Sequence, residues 1–255
     1  MTTKKKIVFV VNPISGTQGK RAILKWIDER INRTLYDYTI VKTQYAGHAE
    51  KIAAAAAKEK VDIVVAIGSG NGLARHLQIP LEPKAAIDII NESSVACIDY
   101  GKINNIPFFC TCGVGFDAFV SLKFADSGKR GLLTYLENTL HESLSYKPET
   151  YEIENEEGTV KYKAFLIACG NASQYGNNAY IAPQASLTDG LMDVTILEPF
   201  TVLDVPSLSF QLFNKTIDQN SRIKTFRTKK IKIHRSKPGV MHYDGDPIMG
   251  GKDIE

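Results

Sequence analysis

The chain has 255 residues, and its 31 lysines and arginines against 28 aspartates and glutamates leave a net charge of +3. That length buries a sizeable core and fits one large or two medium domains, while so weak a charge argues against nucleic acid as a partner. No apolar run approaches the ~20 residues of a membrane-spanning helix, and the four cysteines (Cys97, Cys110, Cys112, Cys169) lack zinc-ligand or C-x-x-C spacing, which points to reduced thiols in a cytoplasmic protein.

Residues 5–11 read as a buried first strand. The lysines ahead of them give a leader-like start, but Asn12-Pro13 cuts the apolar run short and no small-residue cleavage site follows. A helix is expected over 20–31, with Ile23, Trp26, Ile27 and Ile31 on one stripe. Residues 38–43 alternate as a second strand, 47–60 form an alanine-rich helix, and 62–67 form a third strand. The unbroken, mostly β-branched run of that third strand suits burial on both faces. This order builds a parallel α/β sheet, and ligands of such sheets sit beyond the carboxyl ends of the strands. Three polar turns fall there, at 12–20, 43–48 and 68–71. The last, in GSGNG, is either a plain strand-to-helix turn or an anion site made by backbone N–H groups at a helix start. Three turns at one edge, two rich in glycine and one carrying a lysine, favour a nucleotide or phosphate ligand, although no Walker A sequence occurs. Pro83 opens a further helix over 84–90. After Asn91-Glu92-Ser93-Ser94 the grammar changes, which divides the chain into domains of 1–94 and 95–255.

From Val95 onward strands dominate. Residues 95–104 and 106–115 read as a hairpin about Asn104-Asn105, with Cys110 and Cys112 on one strand face as core residues. Helices are expected over 115–126 and 131–146; Leu132, Leu133, Leu136, Leu140 and Leu144 form a stripe on the second, as core or as a lipid-facing wall. A second hairpin joins 150–155 to 160–171. Asp189-Gly190 is a turn signal, and an aspartate between exposed carbonyls is also a way to hold a hard cation. Residues 222–237 alternate basic side chains with Ile223, Phe226, Ile231 and Ile233. That pattern fits a solvent-facing strand whose lysines discourage edge pairing, or a basic face for anionic lipid head groups. Asp244-Gly245-Asp246 is a turn that places two carboxylates together.

Taken in order, these motifs match a known family. They are N-P-x-S-G at 12–16 with Gly19-Lys20, T-x-x-x-G-H-A at 43–49 and GSGNGLAR at 68–75. Asp99-Tyr100-Gly101, Gly113-x-Gly115-x-Asp117, Ala182-Pro183-x-Ala185 with Asp189-Gly190, and Asp244-Gly245-Asp246 follow. The set resembles the diacylglycerol kinase catalytic-domain family, soluble bacterial lipid kinases related to sphingosine kinases. Each motif alone is weak; the ordered set spans nearly the whole chain.

The resemblance implies an α/β nucleotide-binding domain with a NAD-kinase- and diacylglycerol-kinase-like parallel sheet. A mainly β, sandwich-like lipid-substrate domain would follow it, with the active site in the cleft between the two. It implies Mg²⁺-dependent transfer of the ATP γ-phosphoryl group to the hydroxyl of diacylglycerol or a similar lipid alcohol. Contact with the membrane surface would be peripheral, from the cytoplasm, through the basic strand or an apolar cleft rim. Asn12, Ser15, Gly16 and Lys20 fall where the family forms its first nucleotide-side loop. Thr43 falls where a threonine contacts ATP; Ser69 replaces a residue, often threonine, that does likewise, beside Gly68 and Asn71 of the same motif. Asp189 falls on the metal-holding aspartate, with the carbonyls of Ser186 and Leu191 as companions. Asp246 falls on the catalytic carboxylate, where the family usually has Glu.

One departure is large. The family carries GGDGT, then a helix and another strand, before its GSGN-type motif, whereas here VVAI runs directly into GSGNG. Either the chain lacks the phosphate loop and is catalytically dead, or residues are missing from the sequence at Ile67–Gly68. Survival of so many other site positions favours the second, which expects a break at that junction. The alternatives in function are a sphingoid-base kinase, a non-catalytic nucleotide- or lipid-binding homologue, and a kinase of a soluble acceptor such as a NAD kinase. The C-terminal half, which resembles the lipid kinases, speaks against the last. An exposed strand would permit a homodimer.

Overall fold

The computed structural model describes residues 3–14, 21–45, 47–68, 71–92, 94–127 and 146–255, the side chains of 124–127 excepted. They form two compact units, Met1–Ala96 and Cys97–Glu255.

The first unit is α/β. Strands β1 (Lys5–Val11), β2 (Tyr36–Lys42) and β3 (Ile63–Ile67) make a parallel sheet in the order β2-β1-β3. The helices are α1 (Arg21–Arg30), α2 (His48–Lys58), the single-turn α3 (Gly72–His76) and α4 (Pro83–Glu92). Ile7 and Phe9, two residues apart and so on one face of β1, join Ile27 and Ile31 from the α1 side and Ile87 of α4 in the unit's core. Trp26 packs half-buried against that cluster, with the Lys84 ammonium 5.2 Å above its ring. Arg30 of α1 forks onto both carboxylate oxygens of Asp88 in α4 (2.9 and 2.6 Å), which fixes the two helices side by side. Pro83 begins α4 as expected, and the Glu82 carboxylate accepts the Ala85 N–H (2.7 Å) at its first turn.

One expectation fails at β3. The strand is not buried on both faces: Ile63, Val65 and Ile67 are half-buried, whereas Ala66 is exposed and Val64 keeps 41% of its surface in solvent. β3 is the edge of the described sheet, and no further described strand pairs with its outer side.

The second unit is mainly β. Strands β4 (Gly101–Ile103) and β5 (Ile106–Phe108) close a hairpin on Asn104 and Asn105, both left-handed (φ 47° and 68°), the backbone of a two-residue type I′ turn. The hairpin ends there. Residues 111–115 are a separate strand, β6 (Thr111–Gly115), so the expected long partner strand is divided, with Cys110 in the bend and only Cys112 buried in β6. An antiparallel six-stranded sheet runs β11 (Ile223–Thr228), β10 (Met192–Leu197), β9 (Leu166–Gly170), β6, β13 (Gly239–Tyr243), β14 (Asp246–Gly250). A four-stranded sheet runs β15 (Asp253–Ile254), β12 (Lys232–Arg235), β7 (Glu149–Asn155), β8 (Gly158–Ala164).

The stretches 160–171 and 222–237, each expected as one strand, are two strands apiece, because the chain changes sheet at Phe165 and again at 229–231. Burial explains the pattern of β9. Ile167 and Cys169 point into the core with Ile153, Ile233 and Val194, while Leu166 and Ala168 point the other way, toward Phe116, Ile181 and Leu208. A strand covered on both faces reads as a continuous apolar run. Helices α5 (Phe116–Ser127) and α6 (Val205–Phe213) contribute to this second cluster. The expected leucine-striped helix at 131–146 lies almost wholly outside the described residues.

Candidate functional site

Strand register assembles the N-terminal set. Val11 pairs with both Lys42 and Ile67, so the residues that follow each strand, Asn12, Thr43 and Gly68, emerge at one level of the sheet's carboxyl edge. Backbone bonds hold them: Asn12 N–H to the Ile67 carbonyl (3.1 Å) and Thr43 N–H to that of Val11 (2.9 Å). The Asn12 side chain accepts the Ile14 N–H (3.1 Å), which shapes the first turn. Asn71 is left-handed (φ 54°) at the start of α3 and makes no side-chain cap there. Ser15, Gly16, Lys20 and Ser69 lie outside the described residues. Sequence reasoning passed over Tyr45, which is exposed and stacks on His48 at 4.6 Å beneath the Lys51 ammonium.

In the second unit, hydrogen bonds link the residues expected to hold metal to the turn expected to carry the base. Asp189 Oδ1 accepts the Leu191 N–H (3.0 Å), and Asp99 Oδ2 accepts the Gly190 N–H (2.7 Å). Asp99 N–H donates to the Leu187 carbonyl (2.7 Å), and the Asn171 amide joins the carbonyls of Asp99 (3.0 Å) and Phe109 (2.9 Å). Asp244 closes the chain of contacts by accepting the N–H groups of Phe109, Cys110 and Thr111 at 2.8, 2.7 and 3.1 Å. Asp244 is thereby committed to structure, whereas no hydrogen bond engages the Asp246 carboxylate among the described residues. Protein packed around the Asp246 carboxyl, then the charge of Asp244, raises its pKa from the ordinary carboxylate value. Asp189 with the carbonyls of Ser186 and Leu191 is an all-oxygen donor set, the kind a hard divalent cation takes, so these residues fit Mg²⁺. Among the described residues no cluster of three or more His, Cys, Asp and Glu side chains offers an alternative.

The expected basic face is partly neutralised: Lys230 pairs with Glu255, and Lys232 lies 3.5 Å from Glu154.

A second feature joins residues remote in sequence. Asp117, at the start of α5, and His242, on β13, are 9% and 1% exposed, with Nε2 of the histidine 3.0 Å from Asp117 Oδ2. The same oxygen accepts the Tyr175 hydroxyl (3.0 Å), and Oδ1 accepts the Ala118 N–H (2.8 Å). Burial raises the Tyr175 pKa well above the usual phenol value, so it donates as a neutral hydroxyl. Gly113 makes room for the pair, since a Cβ there would stand 2.6 Å from Asp117 Oδ2 and from the Ile167 carbonyl. Asp117, Tyr175 and His242 border a pocket of about 140 Å³ whose other walls are mostly carbon, among them Phe116, Phe165, Leu197, Leu208 and Leu212.

Residues 110–251, more than half of the chain, match the YegS C-terminal NAD kinase beta sandwich-like domain. The chain belongs to that family. Residues 6–68 match the Diacylglycerol kinase catalytic domain, as the ordered motifs led us to expect. This YegS-family chain is 29% identical over 197 residues to a diacylglycerol kinase of Mycobacterium tuberculosis H37Rv, covering 72% of this chain and 62% of that protein. It is 25% identical over 260 residues to the uncharacterized protein sll0036 of Synechocystis, with 98% and 60% covered. It thus spans about 60% of the length of the curated relatives it matches. A crystal structure of a diacylglycerol kinase from Bacillus anthracis str. Sterne superposes with a TM-score of 0.74 at 18% identity, covering 100% of this chain and 94% of that one. The α/β unit followed by a mainly β unit is therefore the fold of this family.

Proposed function

We propose that this protein is a lipid kinase that transfers the γ-phosphoryl group of ATP to the hydroxyl of a lipid alcohol of the diacylglycerol type. The observation that carries the reading is the apolar pocket of the second unit, with polar groups gathered about Asp117 and His242. Its carbon walls suit a segment of an acyl chain, and its few polar groups an alcohol. The carboxyl-edge turns at Asn12, Thr43, Gly68 and Asn71 would face the nucleotide, joined by Ser15, Gly16, Lys20 and Ser69. Mg²⁺ would be held by Asp189 with the Ser186 and Leu191 carbonyls, and when bound supplies charge neutralisation. Asp246, with its raised pKa, would take the proton of the attacking hydroxyl. Phosphoryl transfer asks for positioning and charge more than covalent help. Incubation with labelled ATP, Mg²⁺ and a panel of diacylglycerols and sphingoid bases tests the reading; absence of any phosphorylated lipid defeats it.

One observation favours a second reading. In the sequence VVAI runs directly into GSGNG at Ile67–Gly68, and a homologue that lacked the phosphate-gripping segment would bind nucleotide or lipid without turnover. Binding of both ligands in calorimetry with no labelled product selects that reading.

Membrane contact, in our proposal, is peripheral and runs through an apolar rim rather than the partly neutralised basic strand. Leu203 and Phe210, on α6 and the turn before it, are 90% and 69% exposed beside Leu208 and Leu212, which line the pocket. No helix among the described residues is long and apolar enough to cross a membrane. The free edge of β3 would admit a second copy as a homodimer.

A further inference from the structure

We propose that Asn171 is a positioning residue, whose buried amide fixes the turn of Asp189 and the turn of Asp246 in place for phosphoryl transfer. The inference rests on the kinase reading above. Strand order brings its parts together. In the six-stranded sheet β10, β9, β6 and β13 are consecutive and antiparallel, with Asp193 opposite Gly170, Gly170 opposite Thr111, and Cys112 opposite Tyr243. The start of β10, the end of β9, the start of β6 and the end of β13 therefore share one edge of the sheet. Asp189 precedes β10, Asn171 follows β9, Phe109 and Cys110 precede β6, and Asp244 follows β13. Asn171 thus stands between the turn expected to hold metal and the turn expected to carry the base.

Its side chain bonds toward both. Asn171 is 2% exposed, and its Nδ2 donates to the Asp99 carbonyl at 3.0 Å and to the Phe109 carbonyl at 2.9 Å. On one side Asp99 grips the metal turn twice, through the Leu187 carbonyl and the Gly190 N–H. On the other, the Phe109 N–H reaches Oδ2 of Asp244, two residues from Asp246. Carbonyls only accept, so this point demands a donor with two hydrogens, which an amide supplies and an ionised carboxylate or a hydrocarbon does not. Without it both carbonyls lose a buried partner and must turn away or admit water, and each movement passes to one of the two turns. A misplacement of about 1 Å at a reacting group can cost about 10²-fold in rate.

Kinetics with labelled ATP, Mg²⁺ and 1,2-dioctanoylglycerol test the role. In Asn171→Ala kcat should fall by about ten- to hundredfold, while the KM values for ATP and lipid stay within about twofold of the wild type. In the Asp246→Asn background the same substitution should cost several-fold less, because the base it positions is gone. Asn171→Ser, whose hydroxyl serves one of the two carbonyls, should recover part of the loss, and it carries the same comparisons if Asn171→Ala does not fold. Amide hydrogen exchange on the full chain without ligands gives a readout apart from turnover. Gly190 and residues 109–111 should exchange at least about tenfold faster in the variant, while Ile167 and Met241 within the strands stay as slow as in the wild type. Unchanged kcat, an equal loss in both backgrounds, or uniformly faster exchange would overturn the inference. A wild type that phosphorylates no lipid would remove the kinase reading and this role with it, whereas turnover indifferent to Asn171 would remove only the inference.

Discussion

Two aspartates on one hairpin turn differ in their contacts. Asp244 accepts, through both carboxylate oxygens, the N–H groups of residues 109–111, and charge-assisted bonds of this kind are the stronger ones. Asp244→Ala should therefore lower stability by about 2 kcal/mol, seen as a reduced urea midpoint. Asp246, unengaged, should act in turnover: Asp246→Asn should cut lipid phosphorylation by about 10²–10⁴-fold with lipid binding retained. The sign with pH follows from its raised pKa. The base works ionised, so kcat/KM should fall as pH drops through that raised value, on a limb at higher pH than an ordinary aspartate would give. A profile with no acidic limb would remove Asp246 from the mechanism. At Gly113 a methyl group would meet the Ile167 carbonyl at 2.6 Å; Gly113→Ala should cost about 1–3 kcal/mol as an overpacked site, measured as a drop in Tm. The carboxylate turn was legible in the sequence because Asp-Gly-Asp is a local signal. The amides that Asp244 holds and the histidine that Asp117 meets were not, because both pairings span more than a hundred residues and leave no periodic trace.

Strands and helices of the first unit could be read from pattern, since each is a local run of one period. What the pattern could not carry was a change of sheet. At Phe165 and at 229–231 the apolar alternation continues while the hydrogen-bonding partners change, so 160–171 and 222–237 look like single strands. Nor did β3 announce its exposed face: Ile63–Ile67 has the composition of a central strand, and only the absence of a neighbour makes it an edge. At α6 the consequence is experimental. Leu203 and Phe210 together expose enough apolar surface for several kcal/mol of transfer free energy, at ~1.5–3 kcal/mol per large side chain. Leu203→Glu/Phe210→Glu should therefore reduce co-sedimentation with liposomes by tenfold or more while leaving the affinity for dioctanoylglycerol in solution unchanged. Co-sedimentation equal to wild type would return the membrane contact to the lysine-rich strand.

The two units differ in how much interior they own. The first closes around one small cluster beneath three described strands; the second has two clusters, one on each side of its largest sheet. Unequal burial predicts unequal resistance to urea. The protein contains a single tryptophan, and it is Trp26 of α1, half-buried in the smaller unit. Indole emission therefore reports on the first unit alone, while the tyrosine band of near-UV circular dichroism, with eight of the eleven tyrosines beyond residue 96, reports mostly on the second. Emission should shift to the red at lower urea than the dichroism is lost. ATP, if it binds the first unit, should delay only the emission change, by about 2.7 kcal/mol at a hundred times its Kd. One side chain thus separates two questions that a turnover assay merges: whether nucleotide is bound at all, and whether it is used.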